Sequence, residues 1–248
     1  MLVDADDELD IELRSPAEVA ARSIALACLI RRLSIESLAQ DRNDEALAGE
    51  AFDLRAWLQT ERLWSSLETS ETAFLDRPLG EVSDDEMASI AWQAEGLASL
   101  GWALGVADLS PVGELGSVES VLTRVPSPWD SAAPWIADAR LRSEPEIARE
   151  RDRAELIEWR VGVESPRRLA TDQERADYDR AIAEVAREAA SAGLVDATTG
   201  DSLITGAPAA NLDSEALERL AALAEERLRA LNWLCGFGES WDSVPLDV

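Results

Sequence analysis

The chain has 248 residues, with 50 acidic side chains against 23 basic ones and a net charge of −27. All of the basic residues are Arg, because the sequence contains no Lys and no His. These absences exclude a Ser-His-Asp triad, a His-ligated metal, a Schiff-base lysine and a phosphate-loop lysine; a hydrophobic content of 46% excludes a disordered chain.

In chain order, residues 1–14 carry six acids and one Arg and read as an acidic flexible tail. Their start, Met1-Leu2-Val3-Asp4-Ala5-Asp6-Asp7, has neither a basic region nor an apolar run, so no signal peptide is expected and the protein is expected to be soluble and cytoplasmic. From residue 15 onward a single helical domain is expected. Ser15-Pro16-Ala17-Glu18 is a capping box with Pro at the first helical position, opening a helix to about Ser37. Asp44 to Leu67 reads as a second helical stretch with Phe52, Trp57, Leu58 and Trp64 as its large apolar residues. Ser83-Asp84-Asp85-Glu86 caps a third that ends near Gly105, and Ser143-Glu144-Pro145-Glu146 caps a fourth to about Val163. Thr171-Asp172-Gln173-Glu174 caps a fifth to Ala192, and Asp213 or Ser214 begins the last, which ends at Cys235 before Gly236. The stretches 107–142 and 193–212 read as connections, and Leu194 to Ile204 fits a short β-hairpin at 194–205. The expected fold is all-α, one bundle of about six to nine helices, with 83–105, 144–163 and 214–235 at its centre.

The most membrane-like stretch, Ala88 to Val106, contains Gln93, Glu95, two Ser and three Gly. It reads as a buried helix, and no membrane partner is expected. Glu95 is its only charge, falling on the helical wheel between Trp92 and Trp102. The last helix has the converse oddity. Leu217, Ala221, Ala224, Leu228, Leu231 and Cys235 form an apolar stripe, Arg227 projects into it, and Asn232 lies on its other flank. In the fourth helix Asp152 sits within the stripe of Leu156, Trp159 and Val163. Buried charge is costly unless answered, and an Arg fork suits carboxylates. The expectation is therefore a buried polar network of Glu95, Asp152, Arg227 and Asn232, serving as a structural ion pair rather than as acid/base catalysts. Cys28 and Cys235 are expected to be reduced, buried and small-apolar in role. No cofactor and no metal is expected, since there are only two thiols and no D-x-D-x-D-G loop.

These residues also carry a resemblance. Trp92-Gln93-Ala94-Glu95, Trp102-Ala103-Leu104-Gly105, Leu141-Arg142, Glu146-Ile147, Asp152, Trp159, the run Glu226 to Leu234 and Trp241-Asp242 resemble the domain of unknown function DUF4272 from about Arg14 onward. Leu228 and Glu158 stand where that family's pattern usually or often has His. The resemblance implies a soluble, mainly helical bacterial protein and no particular activity.

The acidity excludes nucleic acid as a favoured partner, since phosphate backbones need basic side chains. Proteome composition, an interaction surface and divalent-cation binding each account for it; among functions, the expectation is a non-enzymatic interaction or regulatory protein for a basic partner. The segment 63–123, with eleven acids and only Arg77 opposing them, is the most one-sided. The alternative is a carboxylate-based hydrolase or ligand-binding enzyme using Glu95 and Asp152. A polar pocket open to solvent favours the alternative; a sealed network with an acidic face favours the interaction protein.

Overall fold

The computed structural model describes residues 11–41, 45–112, 118–195 and 209–246. Among these residues helices are the only regular secondary structure. Six long helices correspond to the six expected: α1 (Pro16–Asp41), α2 (Glu45–Thr60), α4 (Asp84–Ala103), α7 (Glu144–Gly162), α9 (Asp172–Ser191) and α10 (Ser214–Leu234). Four shorter ones lie between them: α3 (Thr69–Asp76), α5 (Val118–Leu122), α6 (Ala133–Asp138) and α8 (Glu164–Leu169). Thus 107–142, expected as connection, contains α5 and α6. The expected hairpin falls, beyond Val195, outside the described residues.

Local chemistry sets the helix starts. The Glu18 carboxylate accepts from the Ser15 amide at 3.0 Å while the Ser15 hydroxyl accepts from the Glu18 amide at 3.3 Å. The same reciprocal box opens α4 at Ser83, α7 at Ser143 and α9 at Thr171, and Asp213 caps α10 by accepting from the Ala216 amide at 2.8 Å. Each satisfies amides that a helix start would otherwise leave without partners.

The four most extensively packed helices form a row in the order α1, α4, α10, α7. Two inner helices must therefore be apolar on both sides. α4 meets this with an unbroken buried run from Glu95 to Gly101. Its glycines admit close neighbours: a Cβ added at Gly101 would stand 2.6 Å from Val121, and one at Gly96 would stand 3.0 Å from the Trp241 ring. A second, smaller apolar cluster joins Leu156, Ile157 and Val161 of α7 to Ala189 of α9 and Leu217, Leu220 and Ala224 of α10.

Ile11–Arg14, assigned from sequence to the acidic tail, lie against the end of α10. The amides of Glu12 and Arg14 donate to the carbonyls of Cys235 and Leu234, and the Arg14 guanidinium donates to the carbonyls of Trp233 and Gly238. Gly236 makes room for this strand-like approach: its φ is +87° and a Cβ there would sit 2.4 Å from the Glu12 carbonyl oxygen.

Candidate functional site

Glu95 of α4 and Arg227 of α10 meet in the core, at 3% and 2% exposure. Arg227 Nε donates to Glu95 Oε1 at 2.7 Å, and Nη2 donates both to the same oxygen and to the Ser110 carbonyl, the latter at 2.7 Å. The third nitrogen, Nη1, faces α7 and lies 3.7 Å from Glu150 Oε1. One guanidinium thereby ties α4, α10, α7 and the 107–112 segment together. Burial pushes the Glu95 carboxyl above the usual carboxylate range, with Arg227 opposing the shift. Glu150 is raised in the same way, opposed by Arg153 and Arg227.

The two other expected members lie elsewhere. Asp152 is half exposed and pairs with Arg151 at 3.3 Å, so Glu150 holds the position beside Arg227 that the sequence reading gave to Asp152. Glu150 and Asp152 are two residues apart, about 200° around a helix, so only one of them can face α10. Asn232 is fully buried but belongs to a second cluster, accepting from Arg151 Nε at 2.9 Å and donating to the Pro245 carbonyl at 2.8 Å. Glu95 and Asp152 therefore do not form a facing carboxylate pair.

Three further buried ion pairs escaped the sequence reading. Arg22 and Glu71 form a fork-to-fork pair at 2.6 and 2.7 Å, Arg32 pairs with Glu36, and Arg160 pairs with Glu164 at 3.1 Å. For two of them a signal like that of Arg227 was available: Arg22 precedes the run from Ser23 to Ile30, which is apolar but for Ser23, and Arg31-Arg32 follow it. Cys28 and Cys235 are free and buried, and burial pushes each thiol up to about 12, so neither is a ready nucleophile. Among the described residues no cluster of three or more His, Cys, Asp or Glu is placed to hold a metal ion, and no helix is long and apolar enough to cross a membrane.

Two clefts open beside α4, one toward α10 and one toward α7. The first, of about 430 Å³, lies between α4 and α10, where Asp85, Ser89 and Trp92 face Glu225, Glu226 and Arg229. Arg229 is the single cation there, 2.6 Å from Glu225 and 3.4 Å from Glu226. Burial raises Glu226, Glu225 adds to that, and one Glu226 oxygen is buried without a hydrogen-bond partner. Glu158 is raised by burial and then by Glu225 and Glu155. Carboxylates thus crowd this flank of the bundle. The second cleft, of about 330 Å³, lies where α7 meets the ends of α4 and α9. Glu150 lines it beside Trp102, Arg142, Arg149 and Arg153.

A family model described as domain of unknown function (DUF4272) matches residues 2–174, well over half of the chain. The chain belongs to the DUF4272 family. The match runs through α8 into the first turn of α9, so Glu95 and Glu150 of this DUF4272 member lie inside it and Arg227 lies beyond it. No curated protein and no solved structure matches the chain.

The raised carboxylates have a pH consequence. In each of Glu95, Glu150, Glu155, Glu158 and Glu226 burial lifts the folded-state pKa above its unfolded value. The folded state then binds protons more tightly, and stability grows as pH falls through those raised values. The cap carboxylates Glu18, Glu86, Glu146 and Glu174 are lowered, chiefly by the hydroxyls of Ser15, Ser83, Ser143 and Thr171, and their contribution is lost only below the ordinary carboxylate range. The Tm should therefore climb from pH 8 to about pH 5.5 and fall below about pH 4. A steady decline in Tm from pH 8 to pH 5.5 would show that burial of these carboxylates is not a significant cost.

Proposed function

We propose that this DUF4272 member is a non-enzymatic interaction protein that binds a basic partner, and that the α4–α10 cleft receives a cationic side chain of that partner. The observation that carries the reading is the composition of this cleft. Trp92 lines it with the carboxylates of Asp85, Glu225 and Glu226, and Arg229 is the one cation among the lining residues, while Arg22 acts on Glu226 from α1. A guanidinium over a Trp ring contributes about 0.5–2 kcal/mol and each rim ion pair about 0.2–1 kcal/mol, so a Trp face with two carboxylates amounts to about 0.9–4 kcal/mol, or roughly five- to a thousandfold. Sealing of the Glu95–Arg227 pair fits a structural role for that pair, as a charge held inside the core and answered there.

The test is calorimetric titration with a synthetic arginine-rich dodecapeptide in 0.15 M NaCl. Glu225→Gln/Glu226→Gln should weaken binding about tenfold, and Trp92→Leu several-fold. A charge-matched control on the exposed face of α9, Glu184→Gln/Glu188→Gln, should stay within twofold of the parent. Equal losses in the cleft variant and the control would reduce the binding to general attraction by a polyanion and overturn the assignment.

A further inference from the structure

The second cleft is of opposite character, and we infer that it binds a small molecule bearing an oxyanion, carboxylate or phosphate, together with a hydrogen-bond donor. It goes beyond the reading above and does not depend on it. Arg142, Arg149 and Arg153 follow one another at spacings of seven and four residues, which places them along one face of α7 and its entry. Some arginines in the chain are held tightly by carboxylates, as in the pair of Arg22 with Glu71 at 2.6 Å. Around this cleft the pairs are loose: Arg142 stands 3.8 Å from Glu146 and Arg153 stands 4.0 Å from Glu150. Arg149 donates to the Gly193 carbonyl at the end of α9. Three guanidiniums thus face two carboxylates, and part of their donor capacity is unspent.

The geometry is set before any ligand arrives. Arg142 Nε donates to the Trp102 carbonyl at 2.8 Å, and its guanidinium lies 5.1 Å from the centre of the Trp102 ring. Both contacts hold the fork in place while leaving its outer nitrogens for an oxyanion. Glu150 is fixed from behind by Arg227 at 3.7 Å. An acceptor among the arginines repels a bare anion, so the ligand that fits also carries a hydroxyl or ammonium directed at Glu150. The cleft volume of about 330 Å³ is at the lower end of small-molecule sites. The net charge of −27 does not exclude an anion here. Charges beyond about 8 Å are screened at physiological salt, so the arginines in contact decide the local potential.

Three probes test the inference on the full chain by calorimetry: inorganic phosphate, L-malate and succinate, each against sodium chloride at matched ionic strength. Saturable binding of phosphate assigns the site to phosphate groups, and saturable binding of malate assigns it to hydroxy acids; either supports the inference. Malate should bind at least tenfold tighter than succinate, which lacks only the hydroxyl. Arg153→Gln, at a half-exposed position that leaves the core untouched, should weaken the bound probe at least tenfold, with an unchanged Tm in its absence. No saturable binding of any probe up to about 10 mM, which corresponds to about 2.7 kcal/mol, would overturn the site, as would undiminished binding to Arg153→Gln. Equal affinity for malate and succinate would overturn the role given to Glu150.

Discussion

Arg227→Leu should destabilise the fold by about 3–5 kcal/mol, because it leaves the buried carboxylate of Glu95 without its counter-charge. The loss is large for a geometric reason. Glu95 receives its side-chain hydrogen bonds from Arg227, and no water-exposed route is open to a side chain at 3% exposure. Protonation of Glu95 offsets part of the cost, so the defect should be smaller at pH 5 than at pH 8. The double variant Arg227→Leu/Glu95→Leu removes both charges and should recover a substantial part of the loss, since apolar replacement of a buried pair is often nearly neutral. Recovery should stop short of the parent, because Glu150 loses Arg227 and the Ser110 carbonyl loses its donor. Arg227→Lys should fall between, as one ammonium cannot donate from three separate nitrogens toward α4, α7 and Ser110. Urea melts of the singles and the double close the cycle, and a coupling energy within error of zero would show that the two residues do not stabilise one another.

The pair was legible in the sequence because both members interrupt apolar surface. A lone charge in so apolar a run as Ala88 to Val106 is expected to need a partner from another helix, and Glu95 opens the stretch to Gly101 that is buried throughout. The identity of the third member was not legible to the same degree. Apolar stripes fix helical phase only loosely, and a two-residue choice on α7 separates the half-exposed Asp152 from the inward Glu150. Helix starts were legible for a different reason: a capping box is complete within four residues, so nothing distant can override it. The end of α2 shows the limit. The apolar pattern carried the expected helix to Leu67, yet the chain leaves the helix after Thr60, and Arg62 adopts a φ of +61°. A helix of five or six residues, such as α5 or α6, spans too few turns for periodicity to register. The two clefts depend on how α4, α7, α9 and α10 are set against each other, which no local pattern encodes.

Glu71→Leu should have the other large effect, about 4–6 kcal/mol, because the residue satisfies two demands at once. Its carboxylate takes both outer nitrogens of Arg22, at 2.6 and 2.7 Å, and the same oxygen that meets Nη1 accepts from the Glu68 amide at 2.8 Å to cap α3. The substitution leaves a guanidinium at 3% exposure whose remaining direct contacts, the Ser66 carbonyl and the Trp241 ring face 4.4 Å away, carry no charge; only the electrostatic interaction with Glu226 remains. An exposed pair provides the contrast: Arg219→Ala, which removes the partner of Glu215 at 57% and 85% exposure, should cost less than about 1 kcal/mol. The damage from Glu71→Leu should also be directional. Glu68 Oε1 accepts from the Trp241 amide at 2.7 Å, and Arg22 stacks on the Trp241 ring, so α1 and α3 together hold the C-terminal turn over Gly96. Amide exchange at Trp241–Ser243 should therefore accelerate in Glu71→Leu well before exchange in the centre of α4. Uniform acceleration across the bundle would mean that the pair stabilises the fold as a whole and does not specifically fasten its C-terminal turn.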